Sequence, residues 1–286
     1  MDAPRIAVVD YHKGNLSSVV RGLARAGAAA YATDNPDEIR SAEGLVLPGV
    51  GSFYDAIAYM SESGQDRAVM DAVANGAPFL GICLGQQLLF ERGDEGVPVA
   101  GDNADAAAGA AAAAVPSSDD PGWRGDGLAP GTVFEAAGRR WVRGLGLIAG
   151  SCTRLDGSRL KVPHVGWDQI HLVGAGASGS ACPLFDDVAE GANVYFTHSY
   201  AADQDADPAA VAARTHYTRS FASAIWKGRV FGCQFHPEKS SAHGLQVLRN
   251  FASIVAAARD GESYMVAGCV MQGFVTRQTG DGGEVA

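Results

Sequence analysis

The amino-acid sequence predicts an α/β protein built on a doubly wound, mostly parallel β-sheet with helices on both faces. Continuous apolar segments of the kind buried in parallel sheets occur at Arg5–Tyr11, Ala29–Thr33 and Gly44–Leu47. Segments with apolar residues at helical spacing lie between them, and this alternation indicates parallel strands joined by crossover helices. Because ligands bind at the carboxyl ends of the strands in such sheets, we expect the chemistry in the turns that follow strands.

The helical segments have start signals of their own. Asn15 is a candidate N-cap for the first helix, a short helix is predicted over Pro36–Ser41, and Ser52 can cap the next helix. Periodic apolar residues over 245–255 predict a final amphipathic helix. The remaining predicted strands, in part β-hairpins added to the sheet, are Arg159–Asp168, Gln169–Val173, Asn193–Tyr200, Val211–Thr215, Phe221–Trp226 and Arg229–Phe235.

Composition excludes several classes of protein. The chain has 286 residues, of which 47% are hydrophobic, so it can bury a large core, and we expect a single domain over 1–286. A net charge of −10 argues against a general affinity for nucleic acid, and no apolar run approaches the roughly 20 residues of a membrane span. Five scattered cysteines without a C-x-x-C pair indicate neither a disulfide framework nor a zinc site, and no signal-peptide layout begins the chain. We therefore expect a cytoplasmic protein.

One region departs from the regular pattern. Residues 93–143 form a predicted low-complexity insertion between the two parts of the core, 5–92 and 144–257, and Ala104–Ala114 is nearly all alanine and glycine. A small hairpin is predicted within it from Thr132–Glu135 and Arg140–Val142. We expect the insertion to be largely flexible and without function, and the tail over 259–286 to be flexible as well.

The stretch Gly81–Gln87 is the strongest chemical signal. It follows the apolar run Pro78–Leu80 and precedes Leu88–Arg92, which is predicted to start a helix. A G-x-C-x-G between a strand and a helix is the pattern of a nucleophile elbow with Cys83 as the nucleophile. The glycines permit a sharp turn, and the first amides of the helix favour a thiolate. The alternative is an inert buried cysteine between packing glycines.

A second glycine-rich turn, Pro48–Gly51, follows the third strand and therefore falls on the same edge of the sheet. It lacks the length and the lysine of a phosphate-binding loop. A Gly-Val-Gly backbone can present an amide to the oxyanion of a tetrahedral intermediate without obstruction by side chains. A tight turn without chemistry is the alternative.

His236 and Glu238 complete a chemical hypothesis with Cys83. A thiol nucleophile needs a base within hydrogen-bond reach, and the base needs an acceptor that fixes its tautomer. The two residues are two positions apart just past the last strand, with Pro237 between them, and alternate residues of a strand share a face. In isolation an H-x-E pair can also be a solvated strand end.

Together these motifs resemble those of the class I (triad) glutamine amidotransferases. Within that family the chain is similar to the glutaminase subunits of imidazole glycerol phosphate synthases in histidine biosynthesis. The resemblance covers residues 5–92 and 144–257 and implies a flavodoxin-like three-layer fold with added β-hairpins. Besides Pro48–Gly51, Gly81–Gln87 and Gln234–Glu238, the matching segments are Asp10–Tyr11, Gly14–Leu16, Lys161–Trp167, Phe196–Tyr200 and His236–Ser241.

The resemblance implies a role for each motif residue. Cys83 would attack the glutamine side-chain amide to form a thioester, and His236, oriented by Glu238, would protonate ammonia and then activate water. No metal and no organic cofactor is implied. The oxyanion contacts would come from the amide of Leu84 and from the loop Gly49, Val50 and Gly51, which in this family can be unproductive until the partner binds. The glutamine pocket would include Gln87, His198, Ser199 and Tyr200.

The resemblance also implies a partner, a cyclase subunit with a (βα)₈ barrel. Ammonia would pass into the barrel and convert a phosphoribulosyl formimino-AICAR nucleotide to imidazole glycerol phosphate and AICAR, shielded from water. Because no barrel sequence is present here, the cyclase would be a separate chain in a heterodimer. The residues that match the docking face and ammonia passage are Asn15, Lys161, Pro163, His164, Trp167, Tyr195 and Lys239.

Some positions depart from the family pattern. His12–Lys13 replaces smaller residues, Ala149 replaces a common proline, and Asp168 a common asparagine. All three changes fall near the expected docking side, and the insertion over 104–122 must project away from that side if the complex forms.

Three alternatives stay open at this point. The chain could serve pyridoxal phosphate, anthranilate or purine synthesis as a related triad subunit. It could be a cysteine hydrolase that acts without a partner, or a non-catalytic relative, although the intact Cys83, His236 and Glu238 argue against the last alternative.

Overall fold

The computed structural model describes residues 2–98, 127–174 and 182–261. The helices are α1 Leu16–Arg25, α2 Pro36–Arg40, α3 Phe53–Ser63, α4 Gln65–Ala74, α5 Leu84–Gln87 and α6 Ser241–Arg259. The first eight strands are β1 Arg5–Val9, β2 Ala29–Thr33, β3 Gly44–Gly49, β4 Phe79–Cys83, β5 Phe90–Gly93, β6 Val133–Ala136, β7 Arg139–Arg143 and β8 Ile148–Arg154. The others are β9 His164–Gln169, β10 His171–Leu172, β11 Asn193–His198, β12 Tyr200–Ala202, β13 Val211–His216, β14 Ser220–Lys227 and β15 Val230–Cys233.

The central sheet has eight strands in the order β10-β13-β14-β15-β4-β3-β1-β2. The five strands from β15 to β2 are parallel to their neighbours, whereas β10, β13 and β14 are antiparallel. Two smaller sheets are added, β11-β9 and β12-β8-β5-β7-β6. The predicted α/β fold with a mostly parallel sheet and added hairpins is confirmed.

Alternation along the parallel strands assigns each face of the central sheet to one layer of helices. On β1, Ile6 and Val8 face a core that includes Leu23 of α1 and residues of α6. Ala7 and Val9 face the opposite core, which contains buried residues of α2, α3 and α4. Both faces are therefore covered, as the unbroken apolar strands require. No helix in the described ranges is long and apolar enough to cross a membrane.

The predicted helix starts are confirmed by their hydrogen bonds. Asn15 accepts at its side chain from the N–H of Ser18 at the start of α1, and Ser52 accepts from the N–H of Asp55 at the start of α3. Each cap satisfies an N–H group that has no partner within the helix. Gly64 has φ 75° and ends α3, so that α4 can begin at once.

The prediction that a helix begins at Leu88–Arg92 is wrong. The helix after the elbow is α5, which ends at Gln87, and Phe90–Gly93 forms strand β5 instead. Strand β5 pairs with β8 and β7 in the five-stranded sheet. The apolar run Leu88–Phe90 is fully buried. The prediction failed because periodicity alone cannot show whether a short buried run is a helix or a strand.

The hairpin predicted within the insertion is present as β6 and β7. Its second strand pairs with β5, and Val142 is buried in the core. The guanidinium groups of Arg92 and Arg139 pack on the ring of Trp141, at 4.7 and 4.8 Å from its centre. Residues 133–143 thus belong to the folded five-stranded sheet. The alanine-rich segment predicted over Ala104–Ala114 and the predicted tail beyond residue 261 lie outside the described residues.

Arg219, in the turn between β13 and β14, connects the central sheet to the five-stranded sheet. Its guanidinium donates to the carbonyl groups of Ala201 and Ala202, to Asp203 and to Thr153. The side chain is 17% exposed, so these bonds are largely protected from water. They hold the end of β12, which follows the predicted pocket residues, against the central sheet.

We expect Arg219→Met to destabilise the protein by about 2 kcal/mol, because the substitution leaves buried acceptors without a donor. For a chain of this size the midpoint of thermal unfolding should fall by roughly 4–8 °C. The exposed control Arg25→Met should change the free energy of unfolding by no more than about 0.5 kcal/mol. Equal midpoints for the two variants in a calorimetric scan would show that the Arg219 bonds contribute no net stability.

Candidate active site

The turn at Cys83 has the geometry of a nucleophile elbow. Cys83 ends β4 and adopts φ 56° and ψ −109°, a conformation that costs energy for any residue except glycine. A Cβ atom on Gly85 would lie 1.7 Å from the carbonyl oxygen of Leu47, and one on Gly81 would lie 2.5 Å from the carbonyl oxygen of Gly85. Both glycines are therefore required by close backbone contacts, which the sequence pattern predicts.

The thiol of Cys83 is nearly buried, with 5% of the residue exposed. Its sulfur lies 3.9 Å from the carbonyl oxygen of Thr197 and accepts from Nε2 of Gln234 at 3.7 Å. The side-chain oxygen of Gln234 in turn accepts from Gln87 at 3.1 Å. The sequence assigns no role to Gln234. It reaches the thiol because β15 lies beside β4, a pairing that the sequence does not reveal.

His236 and Glu238 form a hydrogen bond of 2.9 Å between Nδ1 and Oε1. They meet because Pro237 begins a 3-10 turn, and not through the strand alternation that the sequence suggested. The backbone N–H of His236 donates to Tyr195, and its carbonyl accepts from the hydroxyl of Ser240 at 2.6 Å. The ring is thereby fixed, with Nδ1 on Glu238 and the buried Nε2 on the side of Cys83.

The surroundings of His236 favour its charged form. Burial by itself lowers the pKa of this imidazole, but the negative charge of Cys83 and the carboxylate of Glu238 raise the pKa more strongly, to about 10. The ring therefore holds a proton at neutral pH. An imidazolium beside the sulfur of Cys83 can donate that proton to a leaving group.

The residues predicted as oxyanion donors flank the thiol. Gly49 lies directly beside Cys83 in the register of β3 and β4. Leu84 is the first residue of α5, and the N–H of a first helical residue has no partner within its helix. Val50 is 45% exposed, and Gly51 has φ 107°, a backbone that favours glycine.

A cavity of about 290 Å³ opens beside the thiol. Its volume suits a small polar metabolite, and all four residues predicted to bind glutamine line it. In the described part of the chain no group of His, Cys, Asp and Glu side chains is arranged to hold a metal ion. The lining residues are Val50, Gly51, Cys83, Leu84, Gln87, Glu95, Pro163, Thr197, His198, Ser199 and Tyr200.

His198 in this pocket is neutral. Burial lowers its pKa to about 3, against the opposing effect of a hydrogen bond to the carbonyl of Tyr200. The distance from Nδ1 to that oxygen is 2.8 Å, so Nδ1 donates and Nε2 carries the lone pair. Nε2 is buried without a partner in the described residues. His198 therefore offers a neutral acceptor and not a second proton donor.

Glu95 is a pocket residue that the sequence analysis missed. Burial raises the pKa of its carboxyl group to about 7, and the nearby carboxylates of Asp94 and Asp55 also raise it. Its carbonyl accepts from the N–H of Tyr54, which fixes the turn after β5. The residue lies inside the segment 93–143 that the sequence analysis treated as an insertion without function. The sequence did contain a signal for this residue: the acidic pair Asp94–Glu95 follows closely after the elbow, separated from it only by Leu88–Gly93.

The strands β9 and β11 present an exposed face next to the pocket. Trp167 is 53% exposed and contacts Tyr195 edge-on at 6.0 Å, and Val165 is also exposed. His164, which the sequence assigns to this face, is buried and stacks between Phe196 and Tyr217. A partner cannot contact its ring directly. The other residues assigned to this face, Asn15, Lys161, Pro163 and Lys239, are exposed.

The chain matches a family model described as glutamine amidotransferase class-I over residues 7–255. It is 36% identical to imidazole glycerol phosphate synthase subunit HisH of Halalkalibacterium halodurans over 250 residues, covering 87% of this chain and 96% of the relative. It is 37% identical to the protein of the same name in Moorella thermoacetica over 253 residues, covering 88% and 96%. The chain therefore belongs to the class I glutamine amidotransferase family and, within it, is related to the HisH subunits.

Solved structures show the same fold at low sequence identity. A crystal structure of a glutamine amidotransferase has a TM-score of 0.55 at 15% identity and covers 87% of this chain and 98% of its own. The structure of PurLQS from Thermotoga maritima has a TM-score of 0.56 at 15% identity and covers 88% and 99%. These likenesses establish the architecture.

We expect Cys83→Ser to lower the pKa of His236, because the substitution removes the negative charge of the thiolate and leaves burial opposed by Glu238 alone. Titration of the imidazole by NMR should show this decrease from the value of about 10 in the unsubstituted protein. Cys152→Ser, at a buried cysteine away from the imidazole, is the matched control and should leave the pKa unchanged. An unaltered titration in Cys83→Ser would mean that the thiol and the imidazole do not form an ion pair.

Proposed function

We propose that this chain is the glutaminase subunit of an imidazole glycerol phosphate synthase and that Cys83, His236 and Glu238 are its catalytic residues. The observation that supports the proposal most directly is the strained elbow, which places Cys83 between a 290 Å³ pocket and the buried His236–Glu238 pair. The relatedness to HisH subunits identifies the synthase to which the subunit belongs.

Hydrolysis would proceed in two steps. The thiolate of Cys83 attacks the carbon of the glutamine side-chain amide, and the oxyanion accepts from the N–H groups of Leu84 and of Val50. His236 gives its proton to the departing nitrogen, which leaves as ammonia, and a thioester remains. The neutral imidazole then takes a proton from water, the resulting hydroxide attacks the thioester, and glutamate and the thiol are released.

Glu95 gives the pocket a group that fits an α-amino acid. A carboxylate at the wall of a partly buried pocket binds an ammonium group by a charge-assisted hydrogen bond. An ammonium beside it also stabilises the ionised carboxylate, which offsets the effect of burial on its pKa. Gln87, Ser199 and Tyr200 supply further polar groups, and we propose that this set selects glutamine among small amides.

A second, small cavity supports a route for ammonia. It has a volume of about 20 Å³, enough for one molecule of the size of water or ammonia. Its walls include His236 and Glu238 on the catalytic side and Asn15 and Lys239 on the exposed side. Ammonia formed beside the imidazole would enter this space before it reaches the partner.

The exposed face of β9 and β11 is where we place the cyclase, a separate (βα)₈ barrel in a heterodimer. Trp167 and Val165 form an apolar surface, and exposed aromatic residues of this kind are enriched at protein interfaces. Strand β11 also contributes Thr197 and His198 to the proposed glutamine pocket, so a partner on this face would lie next to that pocket.

The first experiment measures glutamate release from glutamine by the purified chain, alone and with a cyclase barrel and its phosphoribulosyl formimino-AICAR nucleotide. We expect low release alone, strong stimulation in the mixture, and none with Cys83→Ala. Trp167→Ala should raise the concentration of barrel needed for half-maximal stimulation, whereas the control Val173→Ala should not. Full activity without the barrel would keep the glutaminase but reject the partner.

We expect Glu95→Gln to raise KM for glutamine by about tenfold with a smaller change in kcat, because the lost contact is made by substrate and transition state alike. In the unsubstituted protein KM should fall as pH rises through about 7, the pKa of Glu95, since the carboxylate is the binding form. Glu95→Gln should abolish this dependence. The exposed control Glu62→Gln should behave like the unsubstituted protein, and a pH-independent KM in the latter would exclude the assigned role.

A further inference from the structure

Gln234 is a fully buried polar residue that the proposed mechanism does not use. It follows β15, and Cys233 at the end of that strand lies beside Ile82 of β4. The next residues of the two segments, Gln234 and Cys83, therefore come to adjacent positions. The residue is 0% exposed, and an amide in the interior is costly unless both of its ends are hydrogen-bonded. Both ends of this amide have partners.

The partners of Gln234 determine the direction in which its amide points. Nε2 of Gln87 lies 2.8 Å from the carbonyl oxygen of Tyr200 and 3.1 Å from the side chain of Gln234. A backbone carbonyl can only accept, so the Gln87 atom beside it is the nitrogen, and this NH₂ group has a second hydrogen to donate to Gln234. The Gln234 atom that faces Gln87 is therefore Oε1, which leaves Nε2 to face the sulfur of Cys83 at 3.7 Å.

An N–H group directed at the sulfur of Cys83 favours the anionic form of that sulfur. A hydrogen bond to the charged form of a group stabilises that form, and the effect is greater in a buried site than in water. The imidazole of His236 lies within hydrogen-bond reach of the same sulfur and receives the proton of the thiol in the proposed mechanism. Once that proton has moved, the sulfur can accept from both groups, and Gln234 itself gives up no proton.

The sulfur carries negative charge at two points of the proposed reaction. It is negative before it attacks the amide carbon of glutamine, and again when water has attacked the thioester and the carbon–sulfur bond breaks. In the second step the electron pair of that bond returns to the sulfur, where the N–H of Gln234 stabilises it. Gln87, which holds the amide of Gln234 in place, also lines the pocket, so this chain of amides connects the pocket wall to the nucleophile.

We propose that Gln234 is a catalytic residue of the glutaminase, whose side-chain N–H donates to the sulfur of Cys83 and stabilises negative charge there, with Gln87 as the positioning residue that fixes its direction. The inference rests on the proposed function, in which Cys83 is the nucleophile. The reactivity of Cys83 can be measured without glutamine, so the inference can be tested separately from glutamate release.

The test is Gln234→Met, which keeps the length of the side chain and removes the N–H donor. We expect the pH of half-maximal alkylation of Cys83 by iodoacetamide to rise, so that the rate at neutral pH falls on the order of tenfold, the loss typical of one hydrogen bond to a charged group. Mass spectrometry of the peptide that contains Cys83 separates this reaction from that of other cysteines. The maximal rate at high pH should stay within about threefold, because nucleophilicity depends only weakly on basicity. With saturating cyclase and nucleotide, kcat for glutamate release should fall on the order of tenfold as well.

The matched control is Gln86→Met. Gln86 is also 0% exposed, but its amide donates to the carbonyl of Ala222 and not to the sulfur. This variant therefore reports the cost of an apolar substitution at a buried glutamine, and its alkylation profile should match that of the unsubstituted protein. If Gln234→Met does not fold, Gln234→Asn, whose amide is one methylene too short to reach the sulfur, should show the same upward shift.

An unchanged alkylation profile in the folded Gln234 variant would overturn the inference, because the residue would then only fill the interior. An equal shift in Gln86→Met would overturn it as well, since the shift would not depend on the contact with the sulfur. If the unsubstituted protein releases no glutamate but the shift is present, the proposed function is rejected, whereas the stabilisation of the sulfur by Gln234 is supported.

Discussion

The close approach of two backbones at the ends of β3 and β4 determines the arrangement of the whole site. Helix α5 begins so near the neighbouring strand that a single methyl group on Gly85 would overlap the carbonyl of Leu47. This contact fixes the unusual φ of Cys83 and places the thiol above the strand ends, beside Gly49. Because β15 pairs with β4 on its other side, the segment that leads to His236 is brought to the same point.

The two parts of the fold make different contributions to the site. The parallel strands supply the proposed nucleophile, the imidazole and the glycine-rich turn, and these strands are buried on both faces. The added sheets supply the pocket walls and the exposed face with Trp167. The proposed substrate pocket and docking face can therefore vary through the added strands while the proposed reacting groups keep their positions.

Buried charge in the site is stable only where it is compensated. His236 and His198 are both almost completely buried, yet their pKa values shift in opposite directions. The first imidazole lies between Cys83 and Glu238, and its interactions with both raise its pKa by more than burial lowers it. The second has only the carbonyl of Tyr200, and a single neutral acceptor does not offset that cost. One histidine is thus suited to proton transfer and the other to fixed hydrogen bonding.

Local and short-range features were predictable from the sequence: the strand–helix alternation, the caps at Asn15 and Ser52, and the elbow, because each depends on neighbouring residues. The strand at Phe90–Gly93, the position of Glu95 in the pocket and the burial of His164 were not predictable. Each depends on which distant strand lies alongside, β8 for the first and the β9–β11 pair for the last. The sequence by itself determined the fold class and the residues proposed to react. Only the tertiary structure decided which polar groups share the pocket, because packing between segments far apart in the chain controls burial.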